Sequence, residues 1–154
     1  MERQLPQKLK NKMGIKWPDA VHYRNKTCNE ENWEYQWDRH GKCFDEPDQP
    51  WFFFKFVLDL AESVDILGIL YTKGLVPHET RKYRALDIGK AITESLGVQV
   101  TVYCNRNFRG YSQFYEVRIC YHKNVTLMPC RMDFSNCLRV RENVTVWPPP
   151  LQAT

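Results

Sequence analysis

The residues best suited to chemistry fall in one short stretch, Trp33 to Cys43, which reads WEYQWDRHGKC. On a helix, Gln36, Arg39 and His40 stand at i, i+3 and i+4 and point to one side. His40 can exchange a proton near neutral pH. Arg39 offers a planar fork that matches phosphate oxygens, and Gln36 adds a neutral donor and acceptor. A phosphodiester transition state gathers charge on its equatorial oxygens. A face with one proton carrier, one fixed cation and one amide can stabilise that charge and exchange protons. Trp33 and Trp37, four apart, form a different stripe that can anchor the helix in a core. Spacing alone leaves the plainer reading open, in which His40 is a structural residue on a Trp-rich helix.

The elements that must hold this face follow from periodicity. A helix is expected from about Glu30 to Gly41, with Asn29 as its N-cap and Gly41 as its stop. Upstream, residues 4–14 are Lys-rich with few apolar positions and support only a weak helix, which Trp17-Pro18-Asp19 breaks. Downstream, residues 51–71 read WFFFKFVLDLAESVDILGILY. That length would allow a membrane span, but Lys55, Asp59, Glu62 and Asp65 exclude one. Lys55, Asp59 and Glu62 share a helical face, so the segment reads as an amphipathic core helix. It is broken near Ser63 and resumes to Lys73, ending at Gly74 and Pro77. Arg84 to Leu96 repeats the helical pattern and closes at Gly97. The period then changes to two: Val98, Val100 and Val102 alternate with polar residues as a strand does. Phe114 to Tyr121 and Leu138 to Trp147 read as further strands, with a turn at Arg109-Gly110. Helices followed by strands are consistent with an α+β fold. The expected organisation is a single domain over 1–147 and a flexible tail over 148–154.

Composition narrows the setting. The 154 residues are 43% hydrophobic, enough for a packed core, and carry a net charge of +4, which suits a polyanionic ligand. The five Trp and the 14% aromatic content supply core packing and faces on which bases can stack. Six cysteines, with no C-x-x-C pair, favour a disulfide framework over a zinc site. Such a framework and three N-x-T sequons, at Asn25, Asn124 and Asn143, point to an oxidising compartment. Residues Met1 to Lys12 contain no apolar signal-peptide core, so the sequence reads either as a mature-like form or as one whose true start is missing.

The string W-x-x-Q-W-D-R-H-G-K-C resembles the second active-site motif of the ribonuclease T2 family, whose form is close to W-x-x-E-W-x-K-H-G-x-C. Trp33, Trp37, His40, Gly41 and Cys43 match; Arg39 stands where Lys is usual and Gln36 where Glu is usual. The likeness continues through Trp17-Pro18-Asp19, the Trp51-Phe52 and Leu58-Asp59-Leu60 positions, and Gly74-Leu75-Val76-Pro77 with Tyr83, Ile88 and Ala91. Tyr115-Glu116-Val117-Arg118-Ile119-Cys120 is similar to the Y-E-V-x-I-C strand of the plant self-incompatibility ribonucleases, and Val144 to Pro148 to the family's closing strand.

That resemblance implies an α+β fold with helices packed on an antiparallel sheet, and an endoribonuclease acting on single-stranded RNA by transphosphorylation, an RNA lyase. His40 would be general base or acid, and the ribose 2′-OH would attack phosphorus to leave a 2′,3′-cyclic phosphate. Arg39 and Gln36 would stabilise the phosphorane, and Tyr35 would stand where many members bind phosphate through His. Trp37 joins Tyr35 as an expected substrate contact. No cofactor or metal is implied. The plant likeness further implies a monomer that rejects self pollen, with pollen F-box proteins as partners. It also implies nested bridges, Cys104–Cys137 outside Cys120–Cys130. The family's cysteine matching Cys43 pairs upstream of this chain's first residue; here Cys28 is its one local candidate partner, and otherwise both are free thiols. The family's first motif, close to H-G-L-W-P, carries the second proton-transfer His. It is absent from these residues: Gly14 to Pro18 has no His, and His22, His78 and His122 lie in other contexts. The sequence is therefore expected to be an N-terminally truncated product of such a gene, or one whose start is wrongly assigned. The alternatives are a catalytically impaired RNA-binding or recognition remnant and a secreted structural glycoprotein.

Overall fold

The computed structural model describes residues 5–19, 21–22, 24–43, 49–107, 109–130, 137 and 143–148. The chain divides into two compact units, residues 1–65 and 66–154.

The first unit is helical. Helices α1 (Gln7–Lys16), α2 (Lys26–Arg39) and α3 (Pro50–Ser63) enclose one aromatic core. Its fully or nearly buried members include Met13, Trp33, Trp37, Phe54 and Leu58. Trp17 leans edge-on to Phe54 at 5.5 Å, and Trp37 to Phe53 at 5.8 Å, the tilted geometry that aromatic quadrupoles favour. Proline at the first position of α3 starts it without a wasted donor. Helix α2 begins four residues earlier than its periodicity indicates. Its N-cap is Asn25, whose side-chain oxygen accepts from the Thr27 and Cys28 backbone N–H groups at 3.0 and 3.2 Å. The expected cap, Asn29, is instead a buried helix residue whose oxygen accepts from the Asp19 N–H at 2.6 Å. Two Asn one turn apart are both plausible caps in sequence; the distant partner Asp19 claims the second.

The second unit is α+β. Its elements are α4 (Ile66–Thr72), β1 (Lys82–Arg84), α5 (Ala85–Leu96), β2 (Thr101–Arg106), β3 (Ser112–Arg118), β4 (Cys120–Tyr121), β5 (Leu127–Met128) and β6 (Asn143–Thr145). The break near Ser63 and the resumed helix are as the sequence indicates. Helix α4 ends in a Schellman turn: Leu75 N–H donates to Leu70 O at 2.9 Å and Gly74 N–H to Tyr71 O at 3.0 Å, with Gly74 at φ +73°. Leu70 and Leu75 both enter the core that this closure completes. There Ile88, Ala91 and Ile92 of α5 pack with Val100, Val102, Val144 and Val146.

The main sheet runs β1-β6-β3-β2, and β4 pairs β5 separately. It is antiparallel at β1·β6 and β2·β3 but parallel at β3·β6, where Gln113 faces Thr145. The largely antiparallel sheet with helices packed on it is as expected, and the one parallel pairing, β3·β6, makes it mixed. A tight turn forces β2 and β3 antiparallel, whereas the long connection from Arg118 to Asn143 lets β6 return in the same direction. The first strand starts at Thr101 rather than Val98, and the 114–121 run divides at Ile119 into β3 and β4. Three-residue β1 and two-residue β5 are too short to show an alternation and were not legible. Of the expected last strand, 138–142 lie outside the described residues, as does the tail from 149.

Cys104–Cys137 and Cys120–Cys130 are bonded. Cys28 and Cys43 are free. Their pairing fails for a geometric reason: Cys28 sits in the first turn of α2 and Cys43 lies beyond its last. At about 1.5 Å of rise per residue they are far more than the roughly 7 Å that a disulfide spans. No helix among the described residues is long and apolar enough to cross a membrane.

Candidate active site

The candidate face lies at the C-terminal end of α2. Arg39 is its last residue and His40 its C-cap, at φ −127° and ψ −39°. The His40 backbone N–H still bonds the carbonyls of Gln36 and Trp37, so the cap holds the ring's root to the helix as the chain turns away. A short 3₁₀ turn, Gly41–Cys43, follows. The reason for glycine at 41 is contact, not conformation. A Cβ there would lie 2.1 Å from Cε3 of the Trp37 indole. Trp37 is 6% exposed and Trp33 3%. The Trp33 Nε1–H donates to Trp17 O at 2.7 Å, which ties the Trp-Pro segment to the same helix.

Trp37, expected as a substrate contact, is nearly buried in the structure. Phe53 and Gly41 occupy its ring faces and edges, leaving it as an anchor for the residues beside it. The other candidates are open to solvent: Tyr35, Arg39 and His40 are exposed and Gln36 half-buried. The Arg39 guanidinium stacks over the Tyr35 ring, 5.6 Å from its centroid, at i and i+4. Gln36 Nε2 donates to Asn32 Oδ1 at 3.5 Å, at the long limit for such a bond. Among the described residues no hydrogen bond or ion pair engages the His40 imidazole or the Arg39 guanidinium. The structure thus brings Gln36, Arg39 and His40 to one end of one helix, and adds a Tyr35–Arg39 stack that i, i+3, i+4 spacing did not reveal.

The turn that α2 carries is built by Asp19, whose Oδ1 accepts from the His22 and Val21 N–H groups at 2.6 and 3.0 Å. These bonds, the His22 one foremost, hold the Asp19 carboxyl below its ordinary range. The His22 ring lies 3.3 Å from the same oxygen. In the second unit His78 Nδ1 accepts from the Thr80 and Arg81 N–H groups, both at 3.1 Å, which gives that ring a loop-holding role. Among the described residues no group of three His, Cys, Asp or Glu is placed to hold a metal ion. The sequons are exposed at each Asn. Asn124 Oδ1 accepts from Thr126 N and Oγ1 at 3.3 and 2.7 Å in the β4–β5 turn.

The Ribonuclease T2 family model matches residues 1–130. The chain is 34% identical to Ribonuclease 1 of Arabidopsis thaliana over 88 residues, 57% of this chain and 38% of that enzyme. It is 33% identical to Extracellular ribonuclease LE of Solanum lycopersicum over 89 residues, with the same 57% and 38% coverage. The chain thus spans under half the length of these relatives. Its fold superposes on the self-incompatibility associated SF11-RNase of Nicotiana alata with a TM-score of 0.75 at 23% identity, over 94% of this chain and 73% of that one.

Proposed function

The chain belongs to the Ribonuclease T2 family, and on that premise we propose that it is an endoribonuclease of single-stranded RNA working at His40, Arg39 and Gln36. The observation that carries this reading is the solvent-open end of α2, where a proton carrier, a fixed cation and an amide stand together on a helix clamped by buried Trp33 and Trp37. The ribose 2′-OH gives up its proton and attacks the adjacent phosphorus. The 5′-oxygen leaves with a proton, and a 2′,3′-cyclic phosphate remains. His40 accepts or delivers one of those two protons. Arg39 neutralises equatorial oxygens, its plane steadied by Tyr35. The family match runs across both units, which supports one functional domain.

Extracellular location, glycans at Asn25, Asn124 and Asn143, a monomeric state and action in pollen rejection through F-box partners belong to the same reading. They are supported by the two disulfides and by the likeness to an extracellular enzyme and a self-incompatibility ribonuclease. A second reading, RNA binding with weak cleavage, is favoured by one fact: His40 is the one histidine of four in a family-like context. Cleavage of single-stranded RNA by the 154-residue chain tests both. Cyclic-phosphate products that fall by about 10²–10⁴ in His40→Ala establish the first reading. A folded chain that binds RNA but yields products equally slowly with and without His40 establishes the second.

A further inference from the structure

A cleft of about 340 Å³ opens on the second unit, and none of the residues assigned above to catalysis lines it. Its size falls in the range of about 300–1,000 Å³ typical of small-molecule sites. One wall carries Glu79 and Lys82, the other Arg109 and Tyr111, with Thr145 and Trp147 between them. The sheet explains the grouping. Lys82 faces Thr145 across β1·β6, and Thr145 faces Gln113 across β6·β3, so Lys82 and Thr145 share one face while Tyr111 leads into β3 alongside.

Both walls are held by hydrogen bonds. Asn107 Oδ1 accepts from the Arg109 and Tyr111 N–H groups at 2.9 and 3.0 Å. Asn107 N–H bonds Tyr111 O at 2.9 Å, and Arg106 Nη1 bonds Gly110 O at 2.9 Å. On the other side, His78 N–H bonds Val146 O at 2.8 Å while its ring fixes Thr80 and Arg81. Tyr111 nonetheless remains 56% exposed, an aromatic face offered to solvent on a braced turn. The Lys82 ammonium stands 5.5 Å from the centre of that ring. The Trp147 indole N–H is buried without an acceptor among the described residues, a debt that a ligand oxygen reaching it would clear.

Cations beside open aromatic faces are the chemistry that binds single-stranded nucleic acid, phosphates to the charges and bases to the rings. We propose that this cleft binds one nucleotide of single-stranded RNA, its base stacked on Tyr111 and its phosphates drawn by Lys82 and Arg109. Glu79 on the rim offers an acceptor to an exocyclic amino group, so bases that carry one are preferred. The site rests on the reading of the chain as one that acts on RNA, but it does not depend on cleavage.

A short 2′-O-methylated oligonucleotide, which lacks the attacking hydroxyl, is the probe, and binding to the full chain is followed by its fluorescence anisotropy. Tyr111→Ala is expected to weaken binding about fivefold or more, while Tyr111→Phe, which keeps the ring, stays near the parent. Lys82→Gln with Arg109→Gln is expected to lower the slope of log K against log salt by roughly two. A base-free polyphosphate is expected to bind without sensitivity to Tyr111. Unchanged oligonucleotide binding in Tyr111→Ala and in the double variant, with folding verified by thermal melting, overturns the cleft. Loss of cleavage in His40→Ala beside unchanged binding in the cleft variants keeps the catalytic reading and removes this one. Binding lost in Tyr111→Ala by a chain that never cleaves does the reverse.

Discussion

At the scale of single residues, His40 draws its setting from Gly41. The indole of Trp37 lies where a Cβ at position 41 would be, so the two residues after α2 are fixed by a contact that only glycine permits. Gly41→Ala must push Trp37 off its seat against Phe53. Overpacking of this kind costs about 1–3 kcal/mol. Urea unfolding is expected to show that loss, with cleavage falling further than stability because His40 is displaced with the ring. A variant as stable and as active as the parent would mean that the Trp37–Gly41 contact does not set the His40 position. The letters H-G were legible as a family resemblance; the physical need for the glycine became visible only with Trp37 beside it.

At the scale of elements, α2 and the Lys-Asp-Glu face of α3 each carry a prediction. Asn25 is at once a sequon and the cap of α2. Asn25→Ala is expected to lower stability by about 1 kcal/mol, and Asn25→Asp, which also abolishes the sequon, to keep most of it. Comparable losses in both, measured on unglycosylated protein, would remove the cap from the account. On α3, the Lys55 ammonium foremost, and Lys12 from α1 at 3.3 Å, hold the Asp59 carboxyl below its ordinary value of 3.8. Lys12 also reaches Glu62 at 2.8 Å. A carboxyl whose pKa is depressed by folding adds stability that is complete above the unfolded value and is lost as pH falls through the folded one. Thermal melting from neutral pH to below 3.8 should therefore drop less steeply at the acid end in Asp59→Asn than in the parent. Both groups are solvent-open, so salt should shrink the difference.

At the scale of the whole molecule, the cysteines give the sharpest test. Cys104–Cys137 closes a sequence separation of 33 residues and Cys120–Cys130 one of 10. By loop-closure entropy these correspond to about 4 and about 3 kcal/mol. Those are large beside a total stability of about 5–15 kcal/mol. Thiol titration of the native chain should find Cys43, which is exposed, reacting ahead of half-buried Cys28, with the other four appearing only after reduction. Cys104→Ser with Cys137→Ser is expected to lower the melting temperature more than Cys120→Ser with Cys130→Ser. The opposite order would assign the stabilisation to strain relief or packing rather than to loop length.

The sequence by itself determined what is local or recurrent. Three-six periodicity gave α3, α4 and α5 with the break at Ser63. The Trp-Trp spacing gave the buried stripe of α2, and the His-Gly string placed the candidate site. What it left open depended on residues far apart in the chain. Asn25 and Asn29 are interchangeable as caps until Asp19 binds one of them. The sheet is mixed because of where β6 returns, which no alternation records. Cys28 and Cys43 look like partners along the chain and are separated by the length of a helix. The cleft of Lys82, Arg109, Tyr111 and Trp147 exists because strand register gathers residues from three segments. Short-range preference writes helices and turns into a sequence. Pairing at long range is decided by packing and register, and those come into being only when the chain has folded.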